Sequence, residues 1–147
     1  MTDSLTAWAI DAGPLGLFLL AFLAATLLPF SSEAGLVGGL AAGIPTASAV
    51  VACSLGNCLA CLVNYGLGAW GRDSAQRRLE ASWAGQKALD LSERYGLLAL
   101  LGSWLPVVGD PITIVAGVGR VPLAWFVPLV FSLRVGRYVL IAGLLPW

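Results

Sequence analysis

The chain has 147 residues, 59% hydrophobic and 11% charged, with a mean hydropathy of +0.87. A soluble domain carries about 25% charged residues, so this composition excludes an ordinary water-soluble globule and points to membrane insertion. Lys plus Arg equals Asp plus Glu at 8 each and His is absent, which excludes a basic nucleic-acid surface and leaves a transition-metal site almost without ligands.

Along the chain, the first segment, MTDSLTAWAIDAG, has no Lys or Arg ahead of its apolar run, so no cleavable signal peptide is expected. Four apolar blocks follow, at about 14–43, 46–70, 95–119 and 122–147. The second and fourth, of roughly 25 residues each, are long enough for a hydrocarbon core of about 30 Å. The first is interrupted at Pro29-Phe30-Ser31-Ser32-Glu33. Residues 15–28 predict a helix of only about 21 Å, and 34–43 a shorter one. The third block stops at Pro106, and Val107-Val108-Gly109-Asp110-Pro111 is not expected to continue a helix. Both interrupted blocks are read as re-entrant hairpins, with kinked full spans as the alternative. Between the halves, residues 72–95 predict one surface helix, with Leu79, Trp83, Leu89 and Tyr95 apolar among charges. It lies on the membrane face or serves as a solvated connector.

The halves match at an offset of 77 residues: Pro29 with Pro106, Glu33 with Asp110, Pro45 with Pro122, Gly66 with Gly143 and Trp70 with Trp147. Asn57 falls opposite Arg134. The match rests on rare residues and the paired acids, since the remainder is Leu- and Ala-rich. The expected fold is therefore an all-α polytopic membrane protein. Two inverted repeats (about 14–70 and 96–147), each a re-entrant hairpin plus one span, are joined by an amphipathic cytoplasmic linker (71–95) within a single membrane domain, 1–147. Arg72, Arg77, Arg78, Lys87, Arg94 and Arg120 then share one side, and the positive-inside rule puts both termini outside.

Ionisable groups in apolar segments are functional candidates by default. Glu33 and Asp110 are read as groups that bind a proton or a small cation, or else as caps of the helices that follow, the second starting at Pro111. Arg134 and Arg137, three apart on one helix face, suit an anionic phosphate head group or neutralise the acids. Asn57, Asn64 and Tyr65 are polar in the first span, and Ser103 and Thr113 flank the second break. Pro29, Ser31, Ser32, Pro106, Gly109 and Pro111 shape the hairpin tips. Cys58 and Cys61 have redox spacing but lack a second cysteine pair and a nearby charge, so Cys53, Cys58 and Cys61 read as packing residues. With no His, and no Ser or Cys beside a base, no enzymatic activity or cofactor is expected.

The strings LLPFSSEAGLVGGLAAG, LGNCLACLVNYGLGAWGR and SWLPVVGDPITIVAGVGRVP resemble the DedA membrane-protein superfamily, in particular its small YqaA-like branch, over about 17–143. Glu33 corresponds to the acid after the first hairpin's proline. Gly56, Asn57, Tyr65 and Gly68 correspond to a G-[ND]-x7-Y-x-x-G pattern. The arginine motif of larger members is replaced here by Gly109-Asp110-Pro111. The resemblance implies an inner-membrane protein with opposed hairpins, in a group linked to lipid translocation and membrane homeostasis. The function expected is a transporter or lipid flippase/scramblase, with proton coupling as an option. The alternative is a structural or assembly protein whose buried charges hold helices together. A core of four apolar blocks is small for enclosing a pathway, which makes a homodimer plausible through the Gly- and Cys-containing face of the first span.

Overall fold

The structure, a computed structural model describing residues 2–26, 32–105 and 107–145, contains two long apolar helices. Among its described residues every regular element is a helix. They form α1 (Thr2–Asp11), α2 (Gly13–Thr26), α3 (Ser32–Ala41), α4 (Thr46–Trp70), α5 (Arg72–Glu80), α6 (Trp83–Tyr95), a 3-10 helix (Gly96–Trp104), α7 (Gly109–Val118) and α8 (Leu123–Leu144). Pro29, Ser31, Pro106 and Trp147, named above, lie outside the described residues. The chain divides into two compact units, residues 1–60 with 134–147 and residues 61–133. Each takes part of α4 and part of α8, so the units cut across the two halves of the sequence.

In the first unit, α2 and α3 pack antiparallel. A Cβ on Gly35 would strike the side chain of Leu20, and one on Gly39 that of Leu17. The two glycines, four apart on α3, let the helices approach closely. A kinked helix continuing in one direction does not describe this segment, because the chain returns alongside itself. Gly56 brings α4 against the backbone of α2 at Phe18. Leu17, Ala21, Leu36, Ala49, Cys53 and Tyr138 form the buried apolar centre. α1, which the sequence did not suggest, packs on α2 where Gly16 meets the Ala9 backbone.

In the second unit, α4 and α7 run antiparallel in backbone contact. A Cβ on Gly68 would collide with the Ile114 carbonyl oxygen, and one on Gly117 with that of Tyr65. Cys61, Leu100, Ile112, Phe126 and Val130 fill the core, with Leu79 and Ala88 contributed by the linker. The linker is two helices rather than the expected one. Ser82 ends the first run and caps α6, its Oγ accepting from Gly85 N at 3.0 Å. Gly85 itself sits on the Leu79 backbone with no room for a side chain. Leu79 and Leu89 pack inward, whereas Trp83 and Tyr95 are exposed.

Two further expectations change. Residues 96–104 form a 3-10 helix of 9 residues rather than an α-helix. At about 2.0 Å per residue it reaches about 18 Å, where an α-helix would reach about 14 Å. Leu105 is extended (ψ 134°), as a residue before proline prefers. α7 begins at Gly109, not Pro111. Proline is tolerated in this first turn because the N–H it lacks would have no intrahelical partner there.

Local geometry repeats at the 77-residue offset. α3 and α7 are each 10 residues long and start at Ser32 and Gly109, while α4 and α8 start at Thr46 and Leu123. Ala42, Gly43 and Ile44 donate to the carbonyls of Gly38, Leu40 and Gly39; Gly119, Arg120 and Val121 donate likewise to Val115, Gly117 and Ala116. The residue in the left-handed region is Gly43 (φ 90°) in one turn and Arg120 (φ 51°) in the other. This is the Schellman closure of a helix, made twice.

Candidate functional site

The short helix α3 sets the charged site of the first unit. Ser32 and Glu33 are its first two residues, so both side chains lie in a turn whose N–H groups favour negative charge. Glu33 is inside the helix rather than capping it. Its Oε1 lies 3.0 Å from Nη2 of Arg137, with side-chain exposures of 17% and 7%. Arg134, one turn earlier on α8 and 1% exposed, donates from Nη1 to Asn57 Oδ1 at 2.9 Å. Asn57 Nδ2 reaches Ser32 Oγ at 3.5 Å, and Tyr138 OH donates to the same oxygen at 2.6 Å. Arg137 also lies over the Tyr138 ring, 5.7 Å from its centroid.

Ser32, Glu33, Asn57, Arg134, Arg137 and Tyr138 are thus one buried polar network. Asn57 and Arg134, each other's equivalents at the repeat offset, are bonded directly. The three-residue spacing of Arg134 and Arg137 does put both on one buried face. Tyr138 is the member the sequence reading missed. Its position four residues after Arg134, on the same helical face, was the available signal.

The remaining candidates belong to the second unit. Asp110 is the second residue of α7, matching Glu33 in α3; it is half-buried and is not the cap, a position held by Val108. Thr113 Oγ1 donates to the Asp110 carbonyl at 2.6 Å. Gly109 is buried at the helix start and Pro111 is its third residue. Asn64 is 2% exposed. Tyr65 OH donates to Val121 O at 2.6 Å, and its ring meets Phe126 at 4.8 Å between centroids, so this side chain clasps the turn leading into α8. Ser103 is fully buried.

The cysteines of α4 and its glycines Gly56 and Gly68 pack within the chain. Cys53, Cys58 and Cys61 are buried free thiols, and Gly56 and Gly68 lie against other helices of their units. What α4 exposes instead is Val51, Leu55, Leu59, Val63 and Leu67, one every four residues. Such an apolar stripe runs along a helix long enough to span a bilayer. An apolar cavity of about 530 Å³ between the 3-10 helix and the start of α8 is lined by none of the charged residues above.

Helical elements throughout the described residues, two of them long and apolar enough to cross a bilayer, are the features of a helical membrane protein. Residues 28–144 match the VTT domain, and the chain belongs to the VTT-domain (DedA) family. It is 40% identical over 131 residues to the inner membrane protein YqaA of Escherichia coli, covering 86% of this chain and 87% of that protein. The YqaA of Shigella flexneri matches to the same extent. An uncharacterized protein of Haemophilus influenzae is 33% identical over 131 residues, covering 84% of this chain and 81% of the relative. No solved structure matches.

Proposed function

We propose that this protein is an inner-membrane transporter acting on lipids, a flippase or scramblase serving membrane homeostasis. The observation that carries the reading is the buried Glu33–Arg137 pair at the start of α3. Two charges at hydrocarbon depth are costly, and apolar residues of similar volume often hold a fold equally well. Arginine matches the oxygens of a phosphate as well as those of a carboxylate. A lipid head group entering the site competes with Glu33 for Arg137. Protonation of Glu33 releases Arg137 in the same way, which provides a route to proton coupling. Arg134, fixed by Asn57, holds a second positive charge beside the exchange.

The architecture we assign is two inverted repeats of a re-entrant hairpin plus one span. The offset of 77 at helix starts and Schellman turns supports it. Helix length supports it too: α3 and α7, at about 15 Å each, are half the span of a bilayer core. In this reading the linker side is cytoplasmic and both termini are outside, an orientation that the exposed cations of the linker and Arg120 support by the positive-inside rule.

A second reading has its own observation. The pair is closed at 3.0 Å, and a pair this buried also serves to hold α3 to α8 in a structural or assembly protein. Lipid translocation in proteoliposomes, with and without a pH gradient, separates the two. The transport reading expects folded Glu33→Gln to lose at least about tenfold in rate, equivalent to about 1.4 kcal/mol. An unchanged rate in that variant contradicts it, and absence of translocation by either protein favours the structural role.

A further inference from the structure

The second unit contains a cavity of a different character from the apolar one. It measures about 300 Å³ and lies between the end of α4, α5 and the start of α7. Leu67, Pro111 and Ile114 make an apolar wall; Ser74, Arg78 and Ser82 face it. No carboxylate lines it. Among the described residues Arg78 has no ion-pair partner, and the nearest acid along its helix, Glu80, accepts from Gln76 Nε2 at 2.9 Å. Ser82 Oγ already accepts from Gly85 N, which leaves its hydroxyl proton to donate. The polar side of the cavity is therefore one guanidinium and two hydroxyls, a set of donors suited to an anion. Trp70 at the end of α4 is 95% exposed, and tryptophan is enriched at membrane interfaces.

We propose that this cavity binds the phosphate of an anionic phospholipid. Arg78, Ser74 and Ser82 hold the phosphoryl oxygens while the wall of Leu67, Pro111 and Ile114 receives the apolar body. A free phosphate shares the anion chemistry but leaves that wall empty. The site rests on the lipid-acting reading only in placing the chain in a bilayer, and it shares no residue with the Glu33 network.

The test is retention of phosphatidylglycerol by the full chain in detergent, followed by native mass spectrometry. Arg78→Gln is expected to weaken binding by about tenfold, the effect of losing one charge-assisted hydrogen bond. Ser74→Leu, which fills the cavity without touching a charge, should do the same. Arg94→Gln, an equal charge change on the exposed linker, should leave binding unchanged. Equal loss in Arg78→Gln and Arg94→Gln would reduce the effect to general surface charge and overturn the site. Displacement of the lipid by inorganic phosphate would assign the cavity to the free anion and overturn the lipid assignment. Because no transport step is measured, failure of translocation leaves this result standing, and failure here leaves the translocation experiment untouched.

Discussion

At the scale of single residues, glycine positions carry the close packing and are the easiest to test. Gly68 and Gly117 touch facing backbone, which cannot move aside as a side chain can. Gly68→Ala and Gly117→Ala should each cost about 1–3 kcal/mol, seen as a lower Tm in detergent. Gly66, two residues from Gly68 but with open space around it, provides the control. Gly66→Ala should be neutral or stabilising by up to about 1 kcal/mol. The paired turns give a second contrast. Gly43→Ala puts a side chain into the left-handed region and should destabilise by about 1–2 kcal/mol, whereas Arg120→Gly relieves that strain and should raise Tm. A fall in Tm for Arg120→Gly would mean that its side chain does more for the fold than its backbone costs.

At the scale of elements, Ser82 and Tyr65 each secure a junction. Ser82→Ala should cost about 1 kcal/mol, with faster hydrogen exchange confined to the first turn of α6. Unchanged exchange there would show that Gly85 packing alone fixes the break. The sequence was clear wherever hydropathy and proline acted together: the limits of α4 (Thr46–Trp70) were legible, as was the presence, though not the first residue, of the two short helices after the breaks. It was weaker where one polar residue decides. The 72–95 region reads as one amphipathic helix until Ser82 is recognised as a cap with Gly85 beneath it. The 3-10 form of residues 96–104 has no compositional signal, since its side chains suit an α-helix equally well. In the charged site, Glu33, Asn57, Arg134 and Arg137 stood out because charge and amide are rare in apolar helices. Tyr138 did not, because tyrosine is ordinary at a membrane helix and its role depends on a hydroxyl reaching Ser32.

For the whole molecule, the proposed topology makes a prediction independent of any activity. In a background with Cys53, Cys58 and Cys61 replaced by Ala, single cysteines at Ala7 and Ala42 should label from outside intact cells. Those at Gln76 and Gly119 should label only after permeabilisation. Labelling of Ala7 and Ala42 from opposite sides would require α2 and α3 to cross the membrane as a full span. The central claim, that the buried pair works on a substrate rather than merely joining helices, is tested most directly with both charges removed together. Glu33→Gln alone strands Arg137, and Arg137→Gln alone strands Glu33, each at about 3–5 kcal/mol. The double variant leaves no unpaired charge and should recover most of that stability. The decisive measurement is lipid translocation by this stable double variant in proteoliposomes. The account predicts a folded protein with wild-type Tm within a few degrees and translocation reduced at least about tenfold. Translocation at the wild-type rate by the charge-free pair would contradict it.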